Sequence, residues 1–354
     1  MTLDELFLMS HKVLSTGEFY NTTIKRYGMT KAKIFVDKLT SETDALEKLF
    51  AASIYALPLA DDFKRSTSIL IKPNLTYPFY KEGVTTRSIF VMRLVESLRK
   101  INSTTKIYIG EGEGGYNSFS MTEAMQTMGF YEIEQKYPNV KIINFSKLPR
   151  QQVELRANGR PYFVDLPSIF FDEIDFSITC PLPKVHCMTN ITLAFKNQWG
   201  CLPDTMRLKN HYVFDEIIGQ VCEKLKFRYA FLDGKYGLDN NGPMMGDPVE
   251  VNWFVASNSL GAFDMIVSEM MGMNWKKIGH LKMAERYGYL PKRDGIEIIG
   301  NINDLKRKFI LKRTFWNYPA LAAFRSKKLS HLVYFSIWAK LLHDIMYTFR
   351  KRPI

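Results

Sequence analysis

From Ser66 onward the chain repeats one texture: a short apolar run, a polar or glycine-rich break, then a stretch with helical periodicity. The apolar runs fall at Ser68–Lys72, Lys106–Gly110, Val140–Phe145, Phe176–Cys180, Tyr229–Asp233 and Trp253–Ala256. Helical stretches fall at Arg87–Arg99, Met121–Met128, Phe214–Leu225, Ala262–Met271 and Lys277–Tyr287. Short buried-type strands alternating with helices predict an α/β fold, a mostly parallel twisted sheet with helices on both faces. In such sheets ligands bind where loops leave the carboxyl ends of strands, and the polar segments of this chain fall at those places. Residues 1–65 read as a helical N-terminal segment, with Thr30 and Ser41 as N-caps before runs at Lys31–Leu39 and Ala45–Ala56. The expected organisation is therefore 1–65 helical, 66–304 α/β, and 305–354 a basic amphipathic tail.

The net charge of +12 is not spread evenly. From Lys306 onward the bases at 306, 307, 308, 312, 313, 325, 327, 328, 340, 350, 351 and 352 face Asp344 alone. Basicity therefore reports on what the tail touches, and the main body is close to neutral. The four cysteines, 180, 187, 201 and 222, contain no CxxC pair, so the spacing encodes neither a zinc ribbon nor an iron–sulfur module. Acids at the start, Met1-Thr-Leu-Asp-Glu, oppose a secretory signal and lead to an expectation of cytoplasmic synthesis.

Four segments carry candidate chemistry. Lys72-Pro-Asn74-Leu closes the first strand, and Thr85-Thr86-Arg87 opens a helix; Lys72, Asn74, Thr86 and Arg87 suit a carboxylate or phosphate. A turn with a capping threonine accounts for the same residues. Gly110-Glu111-Gly-Glu113-Gly-Gly matches GxGxxG, but two carboxylates would repel a pyrophosphate and the next helix starts only near Ser120. Glu111 and Glu113 fit a divalent metal, a cationic group or a general base better. The third segment, Pro181–His211, gathers His186, Lys196, Asn197 and His211 with Lys184, Arg207 and Lys209. Ile191, Leu193, Ala194, Phe195 and Trp199 surround Lys196 with apolar surface, which lowers an amine's pKa and makes it a base or nucleophile. His186 and His211 are the matching candidates for acid, base or metal ligand. In the fourth, Asp233-Gly and Asn240–Pro248, Asp233 and Asp247 line a shaped loop, with Asp264 a further acid downstream.

Taken in order, KPNL, GEGEGG, PKVH with TLAFKNQWG and a later NH, NGPMMGDP and AFD resemble the domain of unknown function 362 family over about residues 66–275. Some members carry a ferredoxin-like module, which the cysteine spacing here lacks. The layout His186, Lys196, His211 resembles, more distantly, the nickel-pincer lactate racemase family. That resemblance implies a lysine anchoring a pyridinium-derived nickel cofactor, histidines serving metal and proton transfer, and Thr86-Arg87 as a substrate-binding turn. Glu111-Gly-Glu113 stands where that family has a histidine, a departure at the centre of its chemistry.

Residues 329–349 are apolar, but His331, Lys340, His343 and Asp344 make a membrane span costly. Flanked by Lys327, Lys328, Arg350, Lys351 and Arg352 and carrying Trp338, the segment suits the interface of an anionic membrane; packing on the protein's own core is the alternative. The chain thus reads as an enzyme of isomerase-like or redox-related type, peripheral at the cytoplasmic membrane face, with a small or lipid-linked anionic substrate and no nucleic acid. The alternative is a non-catalytic metal- or anion-binding scaffold at that surface.

Overall fold

Strand-forming runs pair where both of their faces can be covered. In this computed structural model, which describes residues 31–40, 44–339 and 341, the strands are β1 (Lys33–Lys38), β2 (Ser68–Pro73), β3 (Lys106–Glu111), β4 (Val140–Asn144), β5 (Arg150–Ala157), β6 (Arg160–Pro167), β7 (Phe176–Cys180), β8 (Lys184–His186), β9 (Asn190–Thr192), β10 (Phe227–Asp239), β11 (Asp247–Ser257) and β12 (Glu297–Ile299). The main sheet runs β12–β1–β11–β10–β7–β2–β3–β4, with the β8–β9 hairpin joined to β10 and a separate β5–β6 ribbon. From β10 to β4 every neighbour is parallel, while β11 is antiparallel to both β10 and β1. The fold is α/β with a mostly parallel central sheet.

β2 is buried at every position because it has helices on both sides. Ile69 and Ile71 enter one core with the helices Asp44–Ala56 and Ser88–Arg99, whereas Leu70 enters the other with Phe214–Lys224 and Leu260–Met270. The same alternation recurs in β11, where Phe254 and Ala256 face the first core and Trp253 and Val255 the second. The chain proceeds outward from β2 through β3 to β4, yet β7 lies on the other side of β2. Loops leaving β2 and β7 therefore diverge at their carboxyl ends, the place where ligands bind in sheets of this kind.

One expectation is corrected. Lys31–Leu39, read as helical, contains strand β1. Its β-branched and aromatic core, Ile34-Phe35-Val36, alternates between faces and finds a complete antiparallel ladder on β11, so pairing wins over the helical reading. Thr30, Ser41 and the helices expected before residue 31 lie outside the described residues. At the other end, residues from Lys306 run back across the second core. Phe309 stacks on Trp253 at 5.9 Å, and the helix Asn317–Arg325 buries Phe324.

The first core is organised around Phe254, whose ring meets Phe50 at 5.2 Å, Phe35 at 6.1 Å, Phe90 at 6.3 Å and Phe231 at 6.4 Å. Phe254→Ala should lower stability by about 3–5 kcal/mol in urea unfolding; a loss under about 1 kcal/mol would show that β1 and β11 are not held by this cluster.

Candidate functional site

Lys72 at the end of β2 is fully buried, and its ammonium donates to Glu111 Oε2 at 2.5 Å, to the Pro73 carbonyl at 3.1 Å and to Asn197 Oδ1 at 3.4 Å. Glu111 also accepts the backbone N–H groups of Leu75 and Gly112. Gly200 packs directly on this pair, and a Cβ there would collide with the Glu111 carboxylate. Asn197 braces the arrangement from behind by donating to Thr179 Oγ1 at 2.8 Å. The charge of Lys72 is thus committed within the protein.

Thr86 bridges strands: its hydroxyl accepts from Asn74 N–H at 2.8 Å and donates to the Cys180 carbonyl at 2.7 Å. Arg87 meets Asp233 through Nη2 at 2.6 Å and Nε at 3.0 Å, and its backbone N–H donates to the same carboxylate at 2.8 Å. Beside this ion pair lies a cleft of about 340 Å³ lined by Tyr80, Glu82, Arg87, Lys235 and Tyr236. Glu113 accepts from Met121 N–H at 2.6 Å and from Asn144 Nδ2 at 2.7 Å, which fixes the glycine loop to the next helix. Asp247 is exposed and accepts from Asn240 at the far end of the β10–β11 hairpin.

Lys196 sits on the four-residue helix Ala194–Asn197, too short to persist on its own. Asp264 holds it, accepting from Ala194 N–H at 2.7 Å and Phe195 N–H at 3.1 Å; burial pushes this carboxyl up to about 7. The Lys196 amine lies 5.1 Å from the Phe214 ring centre. Burial first, then the charges of Arg207 and Lys72, push it down to about 7. His186 and His211 are driven well below the usual histidine value by burial and then by the Lys196 charge, so both are neutral near pH 7. His186 Nδ1 accepts the N–H groups of Met188 at 3.1 Å and Thr189 at 3.4 Å, which assigns the ring proton to Nε2. His211 is stacked between Phe324, at 4.6 Å, and Trp199, at 5.7 Å. The fold therefore brings His186, Lys196 and His211 into one electrostatic neighbourhood, with Lys72 and Glu111 beside them.

Two cations marked in the sequence only as members of a basic run belong here as well. Arg207 is buried and donates to the carbonyls of Leu202 at 3.2 Å and Glu113 at 2.7 Å. Lys184, fully buried, donates to Asn74 Oδ1, Thr76 Oγ1 and the Val84 carbonyl at 2.8–3.1 Å, and burial followed by Lys196 and Lys72 pushes its amine well down. Among the described residues neither forms an ion pair. His280 was not singled out by its sequence; it is fully buried against Phe214, and burial and Lys196 push it down to about 3. Both its ring nitrogens and Trp199 Nε1 are without hydrogen-bond partners among the described residues, a cost of about 1–3 kcal/mol each.

No three or more metal-ligating side chains converge among the described residues. The donor set explains why: Glu111 is paired, Glu113 is bonded twice, and a metal on His186 Nε2 would displace the proton that Nδ1 cannot accept while facing two N–H groups. These residues fit anion binding and proton transfer better than a metal centre.

The sequence pattern of the family described as Domain of unknown function (DUF362) matches residues 69–269, more than half of the chain. The chain belongs to this family. The DUF362 match runs from Ile69 in β2 to Glu269 and so contains the Lys72–Glu111 pair, the Lys196 neighbourhood and Asp264. A thylakoid-associated protein of Synechocystis sp. is 29% identical over 126 residues, 34% of this chain and 39% of that protein. Among solved structures, the lactate racemase apoprotein of Thermoanaerobacterium thermosaccharolyticum is similar with a TM-score of 0.43 and 12% identity, over 73% of this chain and 57% of that one. A Thermotoga maritima protein is similar at 0.39 and 12%, over 61% and 55%. The chain thus spans under two thirds of each of these proteins.

Two substitutions test the electrostatics. Glu111→Gln leaves Lys72 buried without its counter-charge and should cost about 3–5 kcal/mol in urea unfolding. Lys196→Met should do the opposite. An amine pushed down from 10.5 to about 7 destabilises the fold fully below pH 7, and that penalty fades as pH rises from about 7 to 10.5. The variant should therefore be more stable than the parent by about 1–3 kcal/mol at pH 6, with the difference closing towards pH 10; a loss of stability at pH 6 would make Lys196 a structural lysine.

Proposed function

We propose that this DUF362 protein is an enzyme for a small anionic substrate, bound at the carboxyl ends of β2, β3 and β7, and that it moves a proton with the Lys196 amine. One observation carries the reading: buried Lys184, buried Arg207 and half-buried Lys196 share one electrostatic neighbourhood, none of them is in an ion pair among the described residues, and Glu111 beside them already serves Lys72. Burial first, and then that crowding of positive charge, lowers the proton affinity of both amines. An incoming carboxylate or phosphate supplies the missing negative charge, and by doing so it raises the proton affinity of Lys196. The amine that admits the substrate uncharged thus becomes a stronger base once the substrate is beside it. His186, with its proton on Nε2, is the matching donor to an oxygen on which charge develops. Arg207 holds the anion, and Asp264 keeps the Lys196 helix in place.

The C-terminal segment supports placement at an anionic membrane surface. Phe315, Ile337 and Trp338 are 76%, 90% and 57% exposed, and Lys312, Lys327 and Lys328 lie among them. No helix among the described residues is long and apolar enough to cross a membrane. Arg350, Lys351 and Arg352 lie outside the described residues. A relative described as thylakoid-associated agrees with the surface reading. On this reading the substrate is either soluble or the head of a lipid.

The test has two parts. Phosphate and a panel of small carboxylates should raise the melting temperature of the parent by several degrees, roughly what 100-fold saturation gives a domain of this size, and Arg207→Gln should lose the effect. In deuterated buffer the carboxylates should exchange a carbon-bound proton, followed by NMR, with kcat/KM rising through about pH 7 as free Lys196 loses its proton and kcat rising at higher pH, where the bound anion has moved that titration; exchange should vanish in Lys196→Met. No stabilisation by any anion would end the proposal; stabilisation without exchange would leave the anion-binding scaffold.

A further inference from the structure

The segment that carries the exposed apolar residues is also the segment that covers the site. Arg313 Nε donates to the Cys187 carbonyl at 2.7 Å and its Nη2 donates to Asn190 Oδ1 at 2.8 Å, so it clasps the β8–β9 hairpin on which His186 sits. Eleven residues on, Phe324 lies on His211 at 4.6 Å and on Phe214, the ring beneath Lys196, at 5.8 Å. Lys327 then rests over Tyr212 at 5.8 Å. One continuous stretch therefore touches the surroundings of all three central residues.

From these contacts, and resting on the membrane-surface reading above, we infer that residues 312–339 form a strap that an anionic lipid surface lifts from the Lys196 site. The inward contacts include three hydrogen bonds, one from Lys312 N–H to the Asn240 carbonyl at 2.8 Å and two from Arg313, with one buried phenyl ring and a cation over a ring. Among the described residues no ion pair fastens Lys312, Arg313, Arg325, Lys327 or Lys328. The outward face offers Phe315, Tyr318, Leu329, Leu332, Ile337 and Trp338 to solvent. A lipid surface competes for the same segment with both apolar area and negative charge, whereas in this helix pair Phe324 is buried, Leu321, Val333 and Tyr334 are half-buried, and Tyr318, Leu329 and Leu332 stay exposed. The ground under the strap is poised for release: Trp199, which stacks on both His211 and Phe214, keeps its Nε1–H buried without a partner, and lifting Phe324 admits water to it.

Removal of the whole tail is a poor test, because Phe309 and Phe324 belong to the second core. The full chain is instead labelled with an amine-acylating reagent at pH 8, and the rate at Lys196 is read by peptide mass spectrometry with vesicles of phosphatidylcholine alone or mixed with phosphatidylserine. Anionic vesicles should speed labelling roughly tenfold and neutral ones should not. Ile337→Asp with Trp338→Asp should remove the response while keeping the basal rate. Phe324→Ala should label fast without vesicles; because that variant could lose core packing, Arg313→Gln, which removes only two partly buried hydrogen bonds, should give an intermediate rise with an unchanged circular dichroism melt. Vesicle binding with unchanged Lys196 labelling overturns the strap and leaves the surface reading standing; absence of binding to anionic vesicles overturns both.

Discussion

A lysine and a glutamate buried together at the carboxyl ends of neighbouring strands keep their charges at least cost when bonded to one another, because either charge left alone away from solvent is strongly destabilising. Lys72 and Glu111 meet that demand, and much of the site follows from how. Glu111 spends its remaining oxygen capacity on two backbone N–H groups, so the β2 and β3 loops are fixed to one carboxylate. The turn at Gln198–Cys201 can approach only because residue 200 has no side chain. That turn continues from the Lys196 helix, which Asp264 caps from the helix Leu260–Met270 in the same core. The position of Lys196 is therefore specified from two sides, by an ion pair and by a capping carboxylate.

This constraint also explains the electrostatic character of the site. With Glu111 bonded to Lys72, none of Lys184, Lys196 and Arg207 has an ion-pair partner among the described residues, and burial followed by neighbouring cations lowers the proton affinity of the two amines. A guanidinium keeps its proton under such conditions while an amine gives its proton up. The division of labour between Arg207 as a permanent charge and Lys196 as a titrating base is thus set by side-chain chemistry acting in a common environment.

The central strands were legible because β2, β3, β7 and β10 are unbroken apolar runs ended by polar or glycine-rich residues, a pattern that follows from being covered on both faces. β1 was not, since six residues of mixed polarity carry too little periodicity to outweigh a helical reading; its identity comes from β11, more than 200 positions away in the chain. The clustering of His186, Lys196 and His211 could be anticipated because they sit in one run. What each residue does there could not. Arg87 is matched to Asp233 across 146 positions, Lys72 to Glu111 across 39 and Ala194 to Asp264 across 70, and no local pattern announces such pairings. Residues that look like free ligands for an anion in the sequence become braces once their partners arrive, while Arg207, unremarkable in a basic run, is left without an ion-pair partner among the described residues.

The tail shows the same limit from the other direction. Its bases and aromatics read as one amphipathic surface, but amphipathicity does not say which apolar residues face the protein. Phe309 and Phe324 turn inward, and Ile337 and Trp338 do not. Because Phe324 closes on His211 while His186 is tied to the hairpin that Arg313 clasps, the surroundings of both neutral imidazoles depend on where this segment lies. Burial is the leading cause of the lowered proton affinity of both histidines and of Lys196, so the side chains packed around them, Phe214 and Phe324 included, bear on how they titrate.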